Sequence, residues 1–185
     1  MKRIERDIVA LFNAFWYRDF PVAAAHKPVG SRAEWTTHIG ICIRSIADLL
    51  GYFTHFESGI RTDAVIKNNA GEAVANIEWE WKQPFREDVN EIQKLYETRE
   101  TADVSVFIGY CQDIRQKENI ERIRQTWSCK DKSLIVFLVT FRGSKPRVFD
   151  NLDTYIFKGK TQRRIRSQPA LPWMVKGTRW EQKTN

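Results

Sequence analysis

The hydrophobic residues of the chain recur at two spacings, and each spacing predicts a different secondary structure. A helical spacing places apolar side chains on one side of a helix, whereas alternation places them on one face of a strand. The helical spacing predicts helices at Arg3–Tyr17, Glu34–Leu50, Arg86–Glu100 and Ile114–Trp127. Alternation or continuous apolar runs predict strands at Tyr52–Glu57, Ile60–Lys67, Glu72–Lys82, Ala102–Cys111, Leu134–Phe141 and Arg147–Phe157. The pattern therefore predicts an α/β fold, in which helices flank a central sheet.

Between Glu34 and Cys111 the predicted order is helix, three strands, helix, strand. A further helix and further strands follow this core. A chain of 185 residues is long enough to bury a core as one domain, which we assign to residues 1–160 with its core at about 31–111. Residues 161–185 have weak periodicity, and we expect a basic C-terminal tail that DNA or a partner would order.

The composition narrows the class of protein. Hydrophobic residues make up 42% of the chain, which is typical of a globular protein, and no run is as long as a membrane span. The segment Met1–Ala10 is too charged for a signal peptide. Cys42, Cys111 and Cys129 are odd in number and form no zinc-ligand spacing with histidines. We therefore expect a protein of the reducing cytoplasm without a membrane partner.

The positive charge is concentrated near the C-terminus. The formal net charge of the chain is +7, and the excess of Lys and Arg from Lys158 onward accounts for all of it. Basic arms of this kind bind phosphate backbones, although a solvated tail has the same composition. The candidate DNA-binding residues are Lys160, Arg163, Arg164, Arg166, Lys176 and Arg179.

The candidate chemistry lies in Ile60–Lys82, which reads as two strands around a turn. Asp63 is in the first strand, and Glu78, Glu80 and Lys82 share one face of the second, because side chains alternate along a strand. Two carboxylates from neighbouring strands can bind a hard cation such as Mg²⁺. A lysine beside that ion can orient a water molecule or offset phosphate charge. This arrangement is suited to hydrolysis of a phosphodiester bond.

The pairing register of these strands is left open by the sequence. A tight turn pairs Asp63 with Asn76 and leaves Glu80 about 13 Å along the strand. In this register Glu78 is the closer acid. A longer loop over Asn68–Ala75, or a bulge, brings Glu80 towards Asp63.

Asp63 followed by Glu80–Lys82 resembles the bipartite PD-(D/E)xK motif of the restriction-endonuclease-like nuclease superfamily, with Thr62 in place of the proline. Gly30–Trp35 is similar to the helix start of archaeal Holliday-junction resolvases, whose helical glutamate completes the metal site. Gly51–Phe53 resembles the turn of those enzymes between this helix and the first strand. The resemblance covers roughly residues 31–111, and the segment after it departs from those smaller enzymes.

The resemblance implies a restriction-endonuclease-like α-β-β-β-α-β core with a mixed sheet, and a Mg²⁺-dependent nuclease in which Mn²⁺ can substitute. Asp63 and Glu80 would bind the metal, and Glu34 would be a further ligand, directly or through water. Lys82 would position the attacking water or stabilise the transition state. Glu34 also fits a capping box with Ser31, and the two roles are compatible.

Three hypotheses remain at this stage. The first is a metal-dependent deoxyribonuclease that uses metal-activated water, with DNA favoured over RNA and endonuclease action favoured over exonuclease action. The second is a catalytically inactive module of the same fold that binds nucleic acid or a protein partner. The third is an unrelated α/β protein with acids on its surface. Many nucleases of this superfamily act as dimers, so the resemblance leaves a homodimer open.

Overall fold

A computed structural model of the chain describes residues 1–18, 20, 32–58, 62–143, 147–177 and 181. The helices are α1 Arg3–Arg18, α2 Arg32–Leu49, α3 Glu91–Glu97 and α4 Gln116–Thr126, with short 3-10 turns at Arg99–Thr101, Asp113–Arg115 and Pro172–Met174. The strands are β1 Phe53–Ser58, β2 Thr62–Lys67, β3 Ala73–Glu80, β4 Val104–Gln112, β5 Leu134–Arg142, β6 Val148–Lys158 and β7 Thr161–Pro169.

The strands of the described residues form one mixed seven-stranded sheet in the order β1-β2-β3-β4-β5-β6-β7. The pairs β3–β4 and β4–β5 are parallel, and the other pairs are antiparallel. Parallel neighbours need a crossover, and α3 and α4 are the helices inside these two crossovers. The fold is therefore a mixed α/β fold, as the hydrophobic pattern predicts.

Helices cover both faces of the sheet, and each face has its own core. One core joins α1 and α2 to the sheet, with Phe12 stacked on Phe137 at a ring-centroid distance of 4.0 Å. The other core joins α3 and α4 to the opposite face through Ile92, Leu95 and Ile123. Strands β4 and β5 are buried on both faces, which explains their continuous apolar sequences.

The predicted order of helix, three strands, helix, strand is confirmed, and one element differs from its predicted bounds by more than two residues. The second of these helices was predicted at Arg86–Glu100, but α3 spans only Glu91–Glu97. Arg86 Nε donates a hydrogen bond to Asp88 Oδ1 at 2.9 Å, and Val89 N donates to Arg86 O at 3.1 Å. These local bonds hold residues 86–89 in a turn, so the helix begins later.

The C-terminal segment also differs from its prediction as a basic tail. Thr161–Pro169 is an edge strand, β7, whose backbone pairs with β6 through a two-residue turn at Gly159 and Lys160. Gly159 has a φ of 58°, the left-handed conformation that such tight hairpin turns require.

In the described ranges, no helix has both the length and the apolarity needed to cross a membrane.

Candidate functional site

The register of β2 and β3 is set by a turn and a bulge. The turn leaves five residues, 68–72, outside the ladder, and Gly71 among them has a φ of 81°. Asn68 Oδ1 accepts hydrogen bonds from the backbone N–H groups of Ala70 and Glu72. Lys67 then pairs with Ala73, but Ile66 pairs with Ala75, so β3 contains one extra residue. This bulge shifts the pairing away from the tight register that pairs Asp63 with Asn76.

The pair Ala64–Ile77 is the ladder pair farthest from the turn. Asp63 directly precedes Ala64 in the chain and therefore lies opposite Glu78, which directly follows Ile77. The Oδ2 atom of Asp63 accepts a hydrogen bond from the backbone N of Trp79 at 2.8 Å. This bond uses a side chain where a regular ladder would use a backbone carbonyl. The orientation of the Asp63 carboxylate is therefore determined by the backbone of β3.

The carboxyl groups of Asp63 and Glu78 are hydrogen-bonded to each other, and both have raised pKa values. Burial is the main cause for Asp63. For Glu78, burial followed by the charge of Asp63 raises the pKa from its ordinary 4.5 to about 8. Only 1% of the Glu78 surface is exposed. The pair therefore holds a shared proton near neutral pH.

Lys94 of α3 lies beside this carboxyl pair. Its Nζ atom is 3.7 Å from Oε2 of Glu78 and 3.9 Å from Oε1 of Glu91. The Oε2 atoms of Glu78 and Glu91 are buried and have no hydrogen-bond partner in the described part of the chain. Burial also raises the pKa of Glu91. The sequence analysis missed Glu91 and Lys94, although their three-residue spacing on a predicted helix was a usable signal.

Glu80 lines the same cleft as Asp63, but the Lys82 side chain pairs with a residue outside the cleft lining. Oε1 of Glu80 accepts a hydrogen bond from Lys82 N at 2.9 Å and lies 3.8 Å from a guanidinium nitrogen of Arg32. The Nζ atom of Lys82 is 2.9 Å from Oδ2 of Asp88. Strand β3 ends at Glu80, so the alternation that would align Lys82 with Glu80 ends there too.

Glu34 does not line this cleft. It lies exposed in the first turn of α2, whereas Arg32, Thr36 and Gly40 of the same helix face the cleft. These cleft residues recur every four positions, so they share one side of the helix, and Glu34 is on another. Ser31, the expected cap, lies outside the described residues.

The cleft has a volume of about 500 Å³ and an acidic lining. It lies where α2, β1 and the ends of β2 and β3 meet. Four carboxylic acids and one arginine line it: Glu57, Asp63, Glu80, Glu91 and Arg32. An anion alone would be repelled from such a cleft, whereas a cation would be attracted.

The donor atoms fit a hard divalent cation. Carboxylate oxygens are the ligands that Mg²⁺ and Mn²⁺ prefer, and the buried Glu78 Oε2 lacks a hydrogen-bond partner in the described ranges. Among the residues that the structure describes, no three His, Cys, Asp or Glu side chains are grouped to hold a metal together. Mg²⁺ usually takes one or two protein carboxylates and keeps several waters, so Asp63 and Glu80 suffice.

The candidate DNA-binding residues are spread along β7 and its flanks. Arg163 and Arg166 pair with Ile156 and Thr154, which places them on the α1 face, whereas Arg164 pairs with Tyr155 on the α4 face. All three arginines are exposed. Lys160 and Lys176 are also exposed, and Arg179 lies outside the described residues.

Arg164 differs from its neighbours because it has an acidic partner. One of its guanidinium nitrogens is 3.6 Å from Oδ2 of the buried Asp153. Strand β7 is four positions from β3 in the sheet, a distance of about 19 Å at the usual spacing of strands. The arginines are therefore close enough to contact a nucleic acid that also reaches the cleft, but they do not line the cleft.

Comparison with known proteins yields only distant similarities. No protein-family model matches the chain, and no curated protein matches it. The structure is similar to the YaeQ protein from Pseudomonas syringae, with 11% sequence identity, 78% of this chain and 80% of that chain covered, and a TM-score of 0.34. It is also similar to the YaeQ protein from Xanthomonas axonopodis pv. citri, with 11% identity, 69% and 76% covered, and a TM-score of 0.30. Similarity this distant carries no conclusion about function.

Proposed function

We propose that the protein is a Mg²⁺-dependent nuclease that hydrolyses phosphodiester bonds in DNA at the acidic cleft. The observation that carries this proposal is the convergence of Asp63 and Glu80 on one cleft, with the Glu78–Lys94 pair beside them. The proposed metal ligands are Asp63 and Glu80, the two acids of the sequence motif that line the cleft. Glu34 is left out of the proposed ligand set because it does not line the cleft.

The charge of the cleft supports a role for a cation. With four acids and one arginine in the lining, a phosphate group gains access only when positive charge is added. A bound Mg²⁺ would supply that charge, polarise the scissile phosphate and lower the pKa of a bound water. Burial is the main cause of the raised pKa values of Asp63, Glu78 and Glu91, and a cation nearby would favour their ionised forms.

The protein's own groups would orient and balance the charges. The Trp79 N–H orients the Asp63 carboxylate through its hydrogen bond. We assign to Lys94 the electrostatic role that the sequence motif gives to Lys82, because the Lys94 ammonium lies among the acids while that of Lys82 pairs with Asp88. In this role Lys94 would offset the charge that develops on the phosphate in the transition state.

Two coarser features support the same proposal. The order α2-β1-β2-β3-α3-β4 is the order of elements in the restriction-endonuclease-like core. The exposed arginines of β7 would contact the phosphate backbone of DNA at a distance from the cleft, so the DNA would extend beyond the bond that is cut, which favours internal bonds as the point of attack. Neither feature is specific to nucleases, so the cleft carries the proposal.

A second candidate function is a binding module of this fold without turnover. The position of Lys82 favours it, because the lysine of the motif pairs with Asp88 and is not beside the metal ligands. In that case the basic residues of β7 would bind nucleic acid, and the carboxyl pair of Asp63 and Glu78 would have no catalytic role.

A cleavage assay distinguishes the two functions. The full chain is incubated with Mg²⁺ or Mn²⁺ and a panel of duplex, single-stranded and branched DNA. The nuclease proposal expects cleavage that chelation stops and that Asp63→Asn abolishes, while DNA binding is kept. Asp88→Asn, an exposed acid away from the cleft lining, is the matched control and should cut normally. Binding without cleavage of any substrate would favour the binding module.

A further inference from the structure

We infer that the acidic cleft receives an unpaired nucleobase, so that the substrate is a single strand or an unpaired end of DNA. This inference rests on the proposed function, because it names the form of DNA that the same site takes. It comes from aromatic side chains that line the cleft together with the carboxylates: Phe56, Trp79 and Trp81.

Phe56 is the most accessible of these rings. Phe56 is 39% exposed, although α2 lies beside β1 and could have covered the ring. A Cβ atom added at Gly40 would be 3.6 Å from its ring, so the ring rests against the backbone of α2. The Arg44 guanidinium lies 5.6 Å from the ring centroid. The ring is therefore held in place while part of its surface stays open to the cleft.

The backbone of β1 directs two consecutive side chains into the cleft. In a regular strand, Phe56 and Glu57 would point to opposite faces. Glu57 has a φ of 50°, a conformation that non-glycine residues rarely adopt, and both side chains line the cleft. Such strain is concentrated at binding sites, where it aims a side chain. Here the residue with this conformation and the aromatic residue before it both line the cleft.

The two tryptophans of the cleft lining lie in β3 and directly after its end. Trp81 is held by Tyr110, at a ring-centroid distance of 4.7 Å, and by the Arg147 guanidinium, 4.1 Å from its centroid. Arg147 also donates a hydrogen bond to Trp81 O at 2.9 Å. Both Trp79 and Trp81 are only half-buried. Trp81 is therefore held by its neighbours, and aromatic side chains line the cleft together with carboxylic acids.

The dimensions and chemistry of the cleft fit one nucleotide unit. Its volume of about 500 Å³ lies in the range of sites for single small ligands. In a duplex both faces of a base are covered by its neighbours, so only an unstacked base can place a face against Phe56. The exposed Arg32 at the rim can contact the phosphate of the same nucleotide.

The test measures binding and cleavage separately. Phosphorothioate oligothymidylate and a fully paired hairpin are titrated into the full chain with Mg²⁺, and tryptophan fluorescence is followed. The single strand should bind more tightly and quench the fluorescence. Phe56→Ala should weaken single-strand binding roughly tenfold, the loss expected for one stacked base. Phe56→Leu keeps an apolar cover on Gly40 and should show the same loss, which excludes a folding defect.

Phe53→Ala is the matched control, because Phe53 is an exposed ring of the same strand that does not line the cleft. It should leave affinity unchanged. Equal affinity for hairpin and single strand, absence of single-strand binding, or normal binding by Phe56→Leu would overturn the inference. Cleavage of paired DNA without any effect of Phe56 substitution would overturn it and leave the nuclease standing. Single-strand binding that depends on Phe56, without cleavage of any DNA, would overturn the nuclease and leave the inference standing.

Discussion

Asp63 and Glu78 lie opposite each other at the point where the β2–β3 ladder ends, and their carboxyl groups share a hydrogen bond. Two carboxyl groups in such contact, largely removed from water, cannot both be ionised without a cation nearby. Lys94 supplies part of the compensating charge from 3.7 Å.

Lys94→Ala should reduce cleavage by about 100-fold, the usual effect of removing one group that stabilises a transition state electrostatically. Lys82→Ala is the comparison, because the ammonium of Lys82 pairs with the exposed Asp88. Steady-state cleavage of a fluorescent DNA substrate measures both variants, and circular dichroism confirms that both fold. A large loss in Lys82→Ala with normal activity in Lys94→Ala would return the catalytic role to the motif lysine.

The affinity for Mn²⁺ should rise with pH. The pKa of Glu78 is raised to about 8, chiefly by burial, and a metal must displace the proton that the pair holds. Affinity should therefore increase by up to about tenfold per pH unit below pH 8 and level off above it. Calorimetric titration between pH 6 and pH 9 measures this. Glu78→Gln should flatten the profile, and a flat profile in the unmodified protein would contradict the assignment.

The same pKa shift predicts that the metal-free protein loses stability as pH rises. Because the folded protein holds the Glu78 proton more tightly than the unfolded chain, the free energy of unfolding falls between about pH 4.5 and pH 8. Glu78→Gln removes this loss and should stabilise the protein by about 1–3 kcal/mol at pH 8.5. Urea unfolding at pH 5.5 and pH 8.5 measures the difference.

The control for this effect is Glu87→Gln, which replaces an exposed glutamate shortly before α3. This substitution should change the free energy of unfolding only slightly, and by the same amount at both pH values. If Glu78→Gln instead destabilised the protein at pH 8.5, the fold would stabilise the ionised form of Glu78. The prediction that Asp63 and Glu78 share a proton would then be wrong.

The arginines of β7 should contribute unequally to DNA binding. Arg163→Gln and Arg166→Gln should each reduce the salt dependence of binding by about one unit of the log–log slope, as expected for loss of one phosphate contact. Arg164→Gln is the matched comparison and should have a smaller effect, because Asp153 offsets its charge. Fluorescence anisotropy at several salt concentrations measures the slopes. Equal slopes in all variants would place the DNA elsewhere.

Gly109 is expected to be required for packing beside the site. It pairs with Glu80 in the sheet, and a Cβ added to it would lie 2.5 Å from the ring of the fully buried Phe107. Gly109→Ala should cost about 1–3 kcal/mol in the free energy of unfolding. Gly40→Ala is the control in urea unfolding, because its added Cβ would make only an ordinary contact in a helix that favours alanine.

The order of the elements could be predicted because burial leaves a local mark on the sequence. The stripe that includes Ile8 and Phe12 in α1 marks one buried side of a helix, and the continuous apolar run of β5 marks a strand that is buried on both faces. Strand β7 leaves no such mark, because Thr161–Pro169 is largely polar and exposed. Its place in the sheet comes from backbone hydrogen bonds to β6, which any sequence can make.

The residues of the candidate site could likewise be predicted from the sequence only in part. Alternation along β3 placed Glu78 and Glu80 on one face, and that inference needs nothing beyond the geometry of a strand. Which acid meets Asp63 was decided by a bulge in β3, and which lysine joins them was decided by the end of β3 and the position of α3. These contacts join residues far apart in the chain, so their geometry depends on packing that no local pattern encodes.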